Sequence, residues 1–478
     1  MRFTKIVCTV GPATDSNEGI RKLVDYGVNV LRLNLSHGTH GYHREVIKRA
    51  RGISNKAAIM LDTKGPEIRT DAIEDTVPIK KKQVVVLSTK KTDLGRVIIK
   101  QDYKDLPKDV KKNDTVLIDD GTVELRVLSK TKDSIKCLSL SDTVLGSRKS
   151  LVVPGAKINL PDLTKQDYKD IDFGIKQGVD FIALSLVKRA STITKVKSMI
   201  EKAGKEISVI AKIEHPEGVK NIDEILEVAD GILIARGDLG LNIDIEKVPT
   251  IQKELIKKAN AAGKPVVVAT QMLESMVNAT RPTRAEASDV ANAILDGADA
   301  LMLSEETASG KYPMHAVRTM AGIIGATDPL MAEKKGPLLV KKSIPEAISL
   351  SVADLVENLS IKAILAPTLG GSTPAIIAKY RPKIPVFALS KNPSIMRRMS
   401  LIRGVFHFDN SSKKSLTYSA LSYAYKEKIV DLNDLVIIVF NHEIKTIRTT
   451  NCLEIRVVGE ILKPELYHKK DISHSHHG

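Results

Sequence analysis

The chain of 478 residues contains no tryptophan, and aromatic residues make up only 4% of it. Proteins that bind single-stranded nucleic acid stack the bases on aromatic side chains, so this scarcity counts against nucleic-acid binding as the function. The net charge is nevertheless +16, with 73 Lys and Arg against 57 Asp and Glu. We interpret most of this charge as solvated surface that also attracts small anionic substrates.

Cysteine and long apolar runs are also scarce. The three cysteines, Cys8, Cys137 and Cys452, are scattered without a CxxC pair, which argues against a disulfide framework or a cysteine zinc site. No apolar run approaches the roughly 18–20 residues that span a membrane. The N-terminus begins as a strand and lacks the apolar segment of a signal peptide. The sequence therefore predicts a cytoplasmic protein with no membrane partner.

The chain is rich in short apolar runs that alternate with helical segments. Three predicted strands precede Pro66 and five follow Leu163, with short loops between strand and helix, which is typical of a parallel sheet. Eight strand–helix units predict a (β/α)8 TIM barrel. The predicted strands cover residues 5–10, 28–33, 57–61, 181–184, 209–213, 232–235, 266–269 and 300–303.

Two further domains are predicted around this barrel. Between the third and fourth strands, short strands are separated by turn signals such as Asp119-Asp120-Gly121, which predicts an inserted all-β lid. After a charged linker at 331–342, alternation resumes and predicts an open α/β domain. The predicted domains are a barrel at 1–66 and 158–332, a β-barrel lid at 67–157, a C-terminal α/β regulatory domain at 341–466 and a disordered tail at 467–478.

Polar side chains follow nearly every predicted barrel strand. Barrel enzymes keep their chemistry at the carboxyl ends of the strands, and a purely structural barrel does not need charge at one face. We therefore expect an active site there. The residues at these ends are Arg32, Asn34, Ser36, His37, Asp62, Thr63, Glu67, Arg69, Ser185, Lys212, Glu214, Arg236, Gly237, Asp238, Thr270, Gln271, Ser304, Glu305 and Glu306.

The residue types indicate phosphoryl transfer. Lys212 is a point charge suited to a phosphoryl group in flight, although a lysine can also simply extend from a strand end to solvent. Glu214 and Asp238 are oxygen donors suited to Mg²⁺, or else part of a salt-bridged rim. Arg32 and Arg69 have planar guanidinium groups that can donate paired hydrogen bonds to phosphate oxygens. The alternative is that they form ordinary ion pairs.

A second group of oxygen donors lies at the ends of strands two and three. Asn34, Ser36, Asp62 and the carbonyl group of Thr63 are able to hold a monovalent cation or simply to bond to one another, and the residues alone leave both possibilities open.

Together these motifs resemble the pyruvate kinase family, from Lys5 to about Val458. The matching stretches, in chain order, are CTVGP, RLNLSHG, LDTKGPEIR, AKIE, ARGDLG, ATQMLESM and RPTRAE. The resemblance implies the reaction of phosphoenolpyruvate with ADP to give pyruvate and ATP, with Mg²⁺ (or Mn²⁺) and usually K⁺.

The resemblance also implies roles for the strand-end residues. Lys212 would neutralise the transferring phosphoryl group, Glu214 and Asp238 would bind Mg²⁺, and Arg32 and Arg69 would flank the phosphates. Thr270 and Ser304, with water, would relay a proton to enolpyruvate, and Glu306 is a further candidate at the rim. The substrate-binding set would be Arg32, Lys212, Gly237, Asp238 and Thr270.

Cation and nucleotide sites follow from the same resemblance. Asn34, Ser36, Asp62 and Thr63 match the K⁺ ligands, and Glu67 matches the residue that accompanies K⁺ dependence. The lid would close over the site from hinges near Pro66 and residues 154–161. The residues matching positions at or near the nucleotide are Pro12, Asn34, His37, Tyr42, Arg69 and Lys165.

Two residues depart from the family pattern. Glu305 stands where glycine is commoner, and Leu186 replaces a frequent phenylalanine after Ser185. Neither is a Mg²⁺ ligand, so catalysis is not in doubt.

The C-terminal domain contains a separate sequence pattern that is typical of anion-binding sites. A Gly-Gly-Ser-Thr loop precedes a helix with proline in its first turn, which makes either a phosphate site or a capped helix start. In the family this loop binds phosphorylated effectors, which implies activation by a sugar phosphate or a nucleotide monophosphate. The loop residues are Thr368, Gly370, Gly371, Ser372 and Thr373. The family habit also implies a homotetramer.

Two alternatives are weaker. A phosphohistidine enzyme that makes phosphoenolpyruvate from ATP needs a reactive histidine after its glycine-rich loop, and none follows Gly370-Gly371-Ser372-Thr373 here. A non-catalytic effector-binding or scaffold protein should have lost Lys212, Glu214 or Asp238, and all three are present.

Overall fold

A computed structural model describes residues 1–73, 75–89, 97–333, 343–407, 415–441 and 450–463. The predicted tail at 467–478 and most of the predicted linker at 331–342 lie outside the described residues. The predicted domain limits stay predictions.

Eight parallel strands close into a barrel in which the strands follow one another in chain order and the eighth pairs with the first. The predicted (β/α)8 barrel is confirmed. We number these strands one to eight. They are Lys5–Thr9, Val30–Asn34, Ala58–Asp62, Phe181–Leu184, Ser208–Ile213, Gly231–Ala235, Val266–Ala269 and Ala300–Leu303.

The barrel strands are buried on both faces, which explains their nearly continuous apolar sequence. Val7, Met60 and Phe181 fill the barrel interior, while Ile6 and Leu61 pack outward against the helices. The barrel helices are Asn17–Asp25, His40–Ile53, Lys165–Gln177, Ala190–Lys202, Pro216–Lys220, Ile222–Val228, Arg236–Asn242, Val248–Ala262, Arg284–Asp296, Glu305–Ala308 and Pro313–Thr327, with 3-10 turns at Ile245–Lys247, Glu274–Val277 and Asp328–Glu333.

The insertion after strand three has its own apolar core, formed by residues such as Leu87, Val116 and Leu125. Its strands form a seven-stranded sheet and a two-stranded sheet, where the sequence predicts a β-barrel, and it also contains one short helix, Leu106–Asp109. The larger sheet has the order Ile68–Arg69, Ser150–Val152, Thr115–Ile118, Val123–Lys130, Ser134–Ser139, Val84–Ser88 and Val97–Lys100; the smaller pairs Val77–Ile79 with Thr143–Leu145.

The C-terminal domain is a five-stranded sheet with helices, four of its strands parallel and the last antiparallel. Leu401 of this domain packs into the same apolar cluster as the barrel interior. The strands in sheet order are Val405–Phe406, Val386–Leu389, Ile361–Pro367, Leu435–Phe440 and Cys452–Val457. The helices are Ile344–Asn358, Ser372–Lys379, Pro393–Arg398, Leu416–Lys426 and Val458–Leu462, with a 3-10 turn at Met399–Leu401.

No helix in the described part of the chain combines the length and the apolar character needed to cross a membrane.

Candidate active site

A cavity of about 240 Å³ lies between the carboxyl ends of strands two to six and the inserted domain. Parallel strands end at the same edge of a barrel, so side chains from distant parts of the sequence meet here. The predicted site residues that line this cavity are Arg32, Asn34, Ser36, His37, Thr63, Glu67, Arg69, Lys212, Glu214 and Asp238.

Lys212 lies near the end of strand five, with a side chain only 10% exposed. Its Nζ donates to Ser185 Oγ at 2.7 Å and lies 3.0 Å from both Asp62 Oδ1 and Glu214 Oε1. Burial opposes the charged form, but Asp62 and Glu214 raise the pKa of Lys212 above its usual value. The cavity wall therefore carries a fixed ammonium group.

Arg32 is held by the same aspartate. Its Nε and Nη2 each lie 2.7 Å from Asp62 Oδ2, and its Nη1 donates to Thr9 Oγ1 at 2.9 Å. Burial disfavours the Asp62 carboxylate, yet Lys212 and Arg32 hold its pKa below the usual value. Asp62 thus stays ionised and fixes the two cations beside each other.

Glu214 and Asp238 are the remaining carboxylates at this edge. Glu214 Oε2 accepts a hydrogen bond from the Leu186 N–H at 2.6 Å. Burial raises the pKa of Glu214 to about 7 against the opposing charge of Lys212. The surrounding walls also desolvate the Asp238 carboxyl and raise its pKa, although its side chain is exposed to the cavity. Glu214 and Asp238 together carry more negative charge than the single ammonium of Lys212 neutralises. The pair can therefore accept a further cation.

Mg²⁺ fits this pair. Among the described residues, no group of three or more His, Cys, Asp or Glu side chains is arranged to hold a metal. A metal ion bound by Glu214 and Asp238 would therefore rest on two carboxylates and on oxygens of water and substrate. Mg²⁺ is commonly bound in this way, through one or two carboxylates and substrate phosphates.

Arg69 and Glu67 form a pair where the inserted domain begins. Arg69 Nε donates to Glu67 Oε2 at 2.7 Å, its Nη2 lies 2.7 Å from the same oxygen, and its Nη1 donates to the Arg148 carbonyl at 3.0 Å. Both side chains line the cavity and are partly exposed. The guanidinium of Arg69 thus lies on the lid side of the cavity that Lys212 also lines.

The predicted proton-relay residues lie at strand ends seven and eight. Thr270 has a left-handed backbone with φ of +66°. Its Oγ1 accepts from the Gly237 N–H at 2.8 Å and donates to the Ala269 carbonyl at 2.6 Å. Glu306 accepts from the N–H groups of Ser304 and Leu273 at 2.7 and 3.1 Å. Among the described residues, those lining the cavity do not include Thr270 or Ser304.

The four predicted K⁺ ligands are adjacent, since Asn34 and Asp62 are paired in register on strands two and three. Asn34 Oδ1 accepts from the Ser36 N–H at 3.1 Å, and the Thr63 carbonyl accepts from Ser185 Oγ at 2.7 Å. Both possibilities left open by the sequence are therefore compatible with the geometry, because these residues lie at adjacent strand ends and some of their oxygens also bond to neighbouring groups.

The predicted nucleotide residues are only partly assembled. His37 lines the cavity, whereas Pro12, Tyr42 and Lys165 are not among the described residues that line it. Tyr42 donates to Asp15 Oδ2 at 2.9 Å, and burial raises its pKa to about 12. Lys165 is exposed in the first turn of the helix Lys165–Gln177.

The predicted effector loop is a tight turn into the helix Ser372–Lys379. Gly371 has φ of +90° and donates its N–H to Thr368 Oγ1 at 2.8 Å, and Thr373 Oγ1 is hydrogen-bonded to Thr450 Oγ1 at 2.8 Å. The left-handed backbone at Gly371 favours glycine, and an added Cβ would also displace the flexible end of the Met399 side chain, whose Cε would lie 2.5 Å away.

The roles of two groups in this site were not predicted from the sequence. Ser185 bonds to both Lys212 and Thr63 and so links the ammonium to the predicted K⁺ ligands. The Leu186 N–H orients Glu214 from a backbone with φ of +54°. The position of Ser185 at the end of strand four was the available signal. Nothing in the sequence indicated the backbone donor.

The fold is that of a (β/α)8-barrel enzyme, and the cavity at the carboxyl ends of its strands is the candidate active site. The family model of the pyruvate kinase barrel domain matches residues 1–317, and that of the pyruvate kinase alpha/beta domain matches residues 346–456. The chain belongs to the pyruvate kinase family. It is a phosphotransferase with pyruvate kinase function, EC 2.7.1.40.

Individual relatives agree over nearly the full chain. The pyruvate kinase of Bacillus licheniformis is 44% identical over 477 residues, which cover 97% of this chain and 81% of the relative. That of Geobacillus stearothermophilus is 43% identical over 479 residues, covering 96% and 81%. The crystal structure of a pyruvate kinase from Cryptosporidium parvum superimposes with a TM-score of 0.86 at 38% identity and covers 96% of both chains.

Proposed function

We propose that the chain transfers the phosphoryl group of phosphoenolpyruvate to ADP in the 240 Å³ cavity, giving pyruvate and ATP. The observation that supports this site is Lys212, a buried ammonium whose contacts with Ser185, Asp62 and Glu214 fix it on the cavity wall. A fixed positive charge in a site of low dielectric stabilises the negative charge of a phosphoryl group in flight.

The arginines bind the phosphate oxygens. Asp62 and Thr9 hold Arg32 rigidly at strand two, so little side-chain entropy is lost when its outer edge meets a substrate oxygen. Arg69 approaches from the lid side and must exchange its bond with Glu67 for a substrate oxygen. Substrate binding is thereby coupled to the position of the inserted domain.

Glu214 and Asp238 hold the divalent cation, Mg²⁺ or Mn²⁺. Burial is the main cause of the raised pKa of both carboxyl groups, and neighbouring carboxylates add to it while Lys212 opposes it. When bound, the cation supplies positive charge to phosphate oxygens. Lys212 lies next to Glu214 and keeps that carboxylate aimed at the cavity.

Asn34, Ser36, Asp62 and the Thr63 carbonyl hold K⁺. These oxygens lie at two adjacent strand ends, and Ser185 links this group to Lys212. We infer K⁺ dependence from Glu67, because it matches the residue that accompanies K⁺ dependence in the family.

After phosphoryl transfer, enolpyruvate must gain a proton at its methylene carbon. The hydroxyl of Thr270 already donates to the Ala269 carbonyl, so a water molecule ordered by Thr270 and Ser304 is the better proton carrier. Gly237 donates its N–H to Thr270 and keeps that hydroxyl at the strand end. Glu306 is held at the rim beside Ser304.

We infer that ADP binds along Asn34, His37 and Arg69, with Pro12, Tyr42 and Lys165 toward the nucleoside. Since the last three residues do not line the present cavity, the nucleotide extends from the cavity over the barrel edge. Closure of the inserted domain then excludes water during transfer.

Three further features are part of this proposal. A sugar phosphate or nucleotide monophosphate binds the loop formed by Thr368, Gly370, Gly371, Ser372 and Thr373 and activates the enzyme. The subunits form a homotetramer, which light scattering will test. The protein is cytoplasmic.

The deciding experiment couples pyruvate formation to a reporter, with phosphoenolpyruvate, ADP, Mg²⁺, and K⁺ present or absent. We expect activity that requires the divalent cation and rises strongly with K⁺. Pyruvate formation at the same rate without any divalent cation would contradict the roles of Glu214 and Asp238. Equal rates with and without K⁺ would contradict the role of Glu67.

A charge reversal tests the K⁺ proposal more directly. We expect Glu67→Lys to remove most of the K⁺ activation, because the lysine ammonium supplies the missing positive charge. Asp71→Lys is a control on the same segment, because its carboxylate is exposed and pairs at 3.8 Å with Lys100. A Glu67→Lys enzyme that keeps the full K⁺ response would exclude this explanation.

Effector binding is tested at the buried end of the loop. We expect Thr373→Glu to abolish the response to sugar phosphates and nucleotide monophosphates, because its carboxylate repels phosphate and breaks the bond with Thr450. Basal activity without effector is the internal control. An unchanged effector response would rule out this loop as the site.

A further inference from the structure

A second cavity, of about 230 Å³, lies at the amino ends of the barrel strands, away from the active site. Its walls come from the N-terminal segment, the turn after the last barrel helix and the C-terminal domain. The basic residues are Arg381, Lys383 and Arg403, and the apolar wall includes Phe3, Pro329 and Pro382. The cavity therefore joins three segments with positive charge on one side and apolar surface on the other.

Two of the basic side chains are already paired with carboxylate or carbonyl oxygens. Arg381 Nη1 lies 2.8 Å from Asp299 Oδ1, and its Nη2 donates to the Gly297 carbonyl at 3.1 Å. Lys383 Nζ lies 2.7 Å from Glu357 Oε2. These two residues shape the cavity but do not need a ligand.

Arg403 differs, because its side chain is only 5% exposed and poorly paired. In the described part of the chain, its guanidinium has one side-chain partner, Asp328 Oδ1, at a long 3.3 Å from Nη2. Its Nε is buried without any hydrogen-bond partner among the described residues. The Phe3 ring lies 5.4 Å from the guanidinium carbon. A guanidinium has five N–H donors, and leaving them unpaired in the interior is costly.

Asp328 does not satisfy this demand, because other donors engage it. It accepts from the Phe3 N–H at 2.6 Å and, through its two oxygens, from the N–H and Oγ1 of Thr4 at 3.1 and 2.7 Å. Burial and the charge of Arg381 also lower the pKa of Arg403. Asp328 and Asp299 oppose this shift, but among the described residues only Asp328 contacts the guanidinium side chain, and the Nε–H group has no partner.

We propose that this cavity binds a small monocarboxylate with a short apolar chain, its carboxylate paired with Arg403. A carboxylate matches the planar fork of a guanidinium. The apolar chain would lie against Phe3 and Pro329. A phosphate dianion is less suitable, because the Asp328 carboxylate next to Arg403 repels its second charge. The ligand would contact the barrel and the C-terminal domain at once, and so stabilise their docking.

Calorimetric titration of the whole protein with butyrate, at constant ionic strength, tests the proposal. Inorganic phosphate is the second probe and chloride the background anion. Arg403→Gln removes the charge. Gly325→Leu instead fills the cavity and leaves Arg403 intact, because Gly325 lines the cavity and a Cβ there meets nothing within 4 Å. Gly322→Leu on the same helix is the matched control, since its Cβ is equally unobstructed but Gly322 is not a lining residue.

We expect butyrate to bind the wild type and Gly322→Leu alike and to raise their melting temperatures. Gly325→Leu and Arg403→Gln should each weaken binding by about tenfold or more, on the scale of losing a charged hydrogen bond. No butyrate binding to the wild type, or unchanged binding by Gly325→Leu, would overturn the proposal. Tighter binding of phosphate than of butyrate would overturn the ligand class.

Discussion

At the scale of single residues, the site depends on Asp62 being shared by two cations. Asp62 contacts Arg32 and Lys212 through different oxygens, so each cation fixes the carboxylate for the other. Ser185 then ties Lys212 to the Thr63 carbonyl. The proposed phosphoryl and K⁺ sites are therefore one hydrogen-bonded unit, and replacing one member should affect both functions.

Lys212→Met tests this unit. We expect kcat to fall by at least about 100-fold, the scale of removing one electrostatic stabiliser from an active site. The apparent affinity for K⁺ should change as well, because Asp62 and Glu214 lose their shared ammonium. Steady-state kinetics at several K⁺ concentrations measures both effects, and the exposed Lys176→Met is the control. A loss smaller than tenfold would remove Lys212 from the phosphoryl step.

At the scale of elements, the loop after strand three shapes the site through Gly65. Its φ is +78°, and a Cβ there would lie 2.7 Å from Ser185 Cβ. Its N–H donates to Asp167 Oδ1 at 2.9 Å, inside the capping box that begins the helix Lys165–Gln177. Gly65, which follows strand three, therefore contacts both the end of strand four and the first turn of this helix.

Gly65→Ala should therefore damage both stability and catalysis. Gly204→Ala is a matched control, because Gly204 also has positive φ but nothing within 4 Å of its Cβ. We expect the control to cost about 1 kcal/mol of unfolding free energy and Gly65→Ala clearly more, with kcat reduced because Ser185 moves. Denaturation and kinetics of the two variants check this. Equal behaviour of the pair would show that the contact with Ser185 is unimportant.

The strand elements of the barrel were predictable because buried parallel strands leave a nearly continuous apolar sequence, and strand ends meet at one edge. The same logic predicted that Arg32, Lys212, Glu214 and Asp238 would come together. The pairing of Lys212 with Ser185 was not predictable, because it depends on strand register and rotamers. In the insertion, turn signals predicted an all-β unit, but the order of its strands in two sheets was not predictable, since local patterns do not encode which strands pair.

At the scale of the whole molecule, the C-terminal domain is attached to the amino ends of the barrel strands by buried charges. Arg381 reaches Asp299 just before strand eight, and Arg397 reaches Asp180 just before strand four. Lys5, in strand one, donates from Nζ to the Val405 carbonyl at 2.6 Å and lies 4.1 Å from the Phe406 ring centroid. No sequence pattern indicated this junction, because its partners lie 82, 217 and 400 residues apart in the chain.

Lys5 should make the stability of this junction depend on pH. Burial lowers the pKa of Lys5 to about 7, with Asp328 opposing the shift. Its folded pKa lies below the unfolded value of about 10.4, so between these two values the unfolded chain binds more protons than the folded chain. Stability from this group therefore rises with pH through that window. Below about pH 7 the full cost of a buried ammonium is present.

Lys5→Met removes this proton linkage. From about pH 7 to 9, we expect the wild type to gain about 1–3 kcal/mol of unfolding free energy relative to Lys5→Met, on the scale of about 1.4 kcal/mol per pH unit. Chemical denaturation at several pH values measures the difference, and Lys257→Met, at an exposed helix position, should follow the wild type. A constant difference across this range would show that Lys5 keeps one charge state throughout. The junction would then hold a permanent ammonium, paired with the Val405 carbonyl and the Phe406 ring.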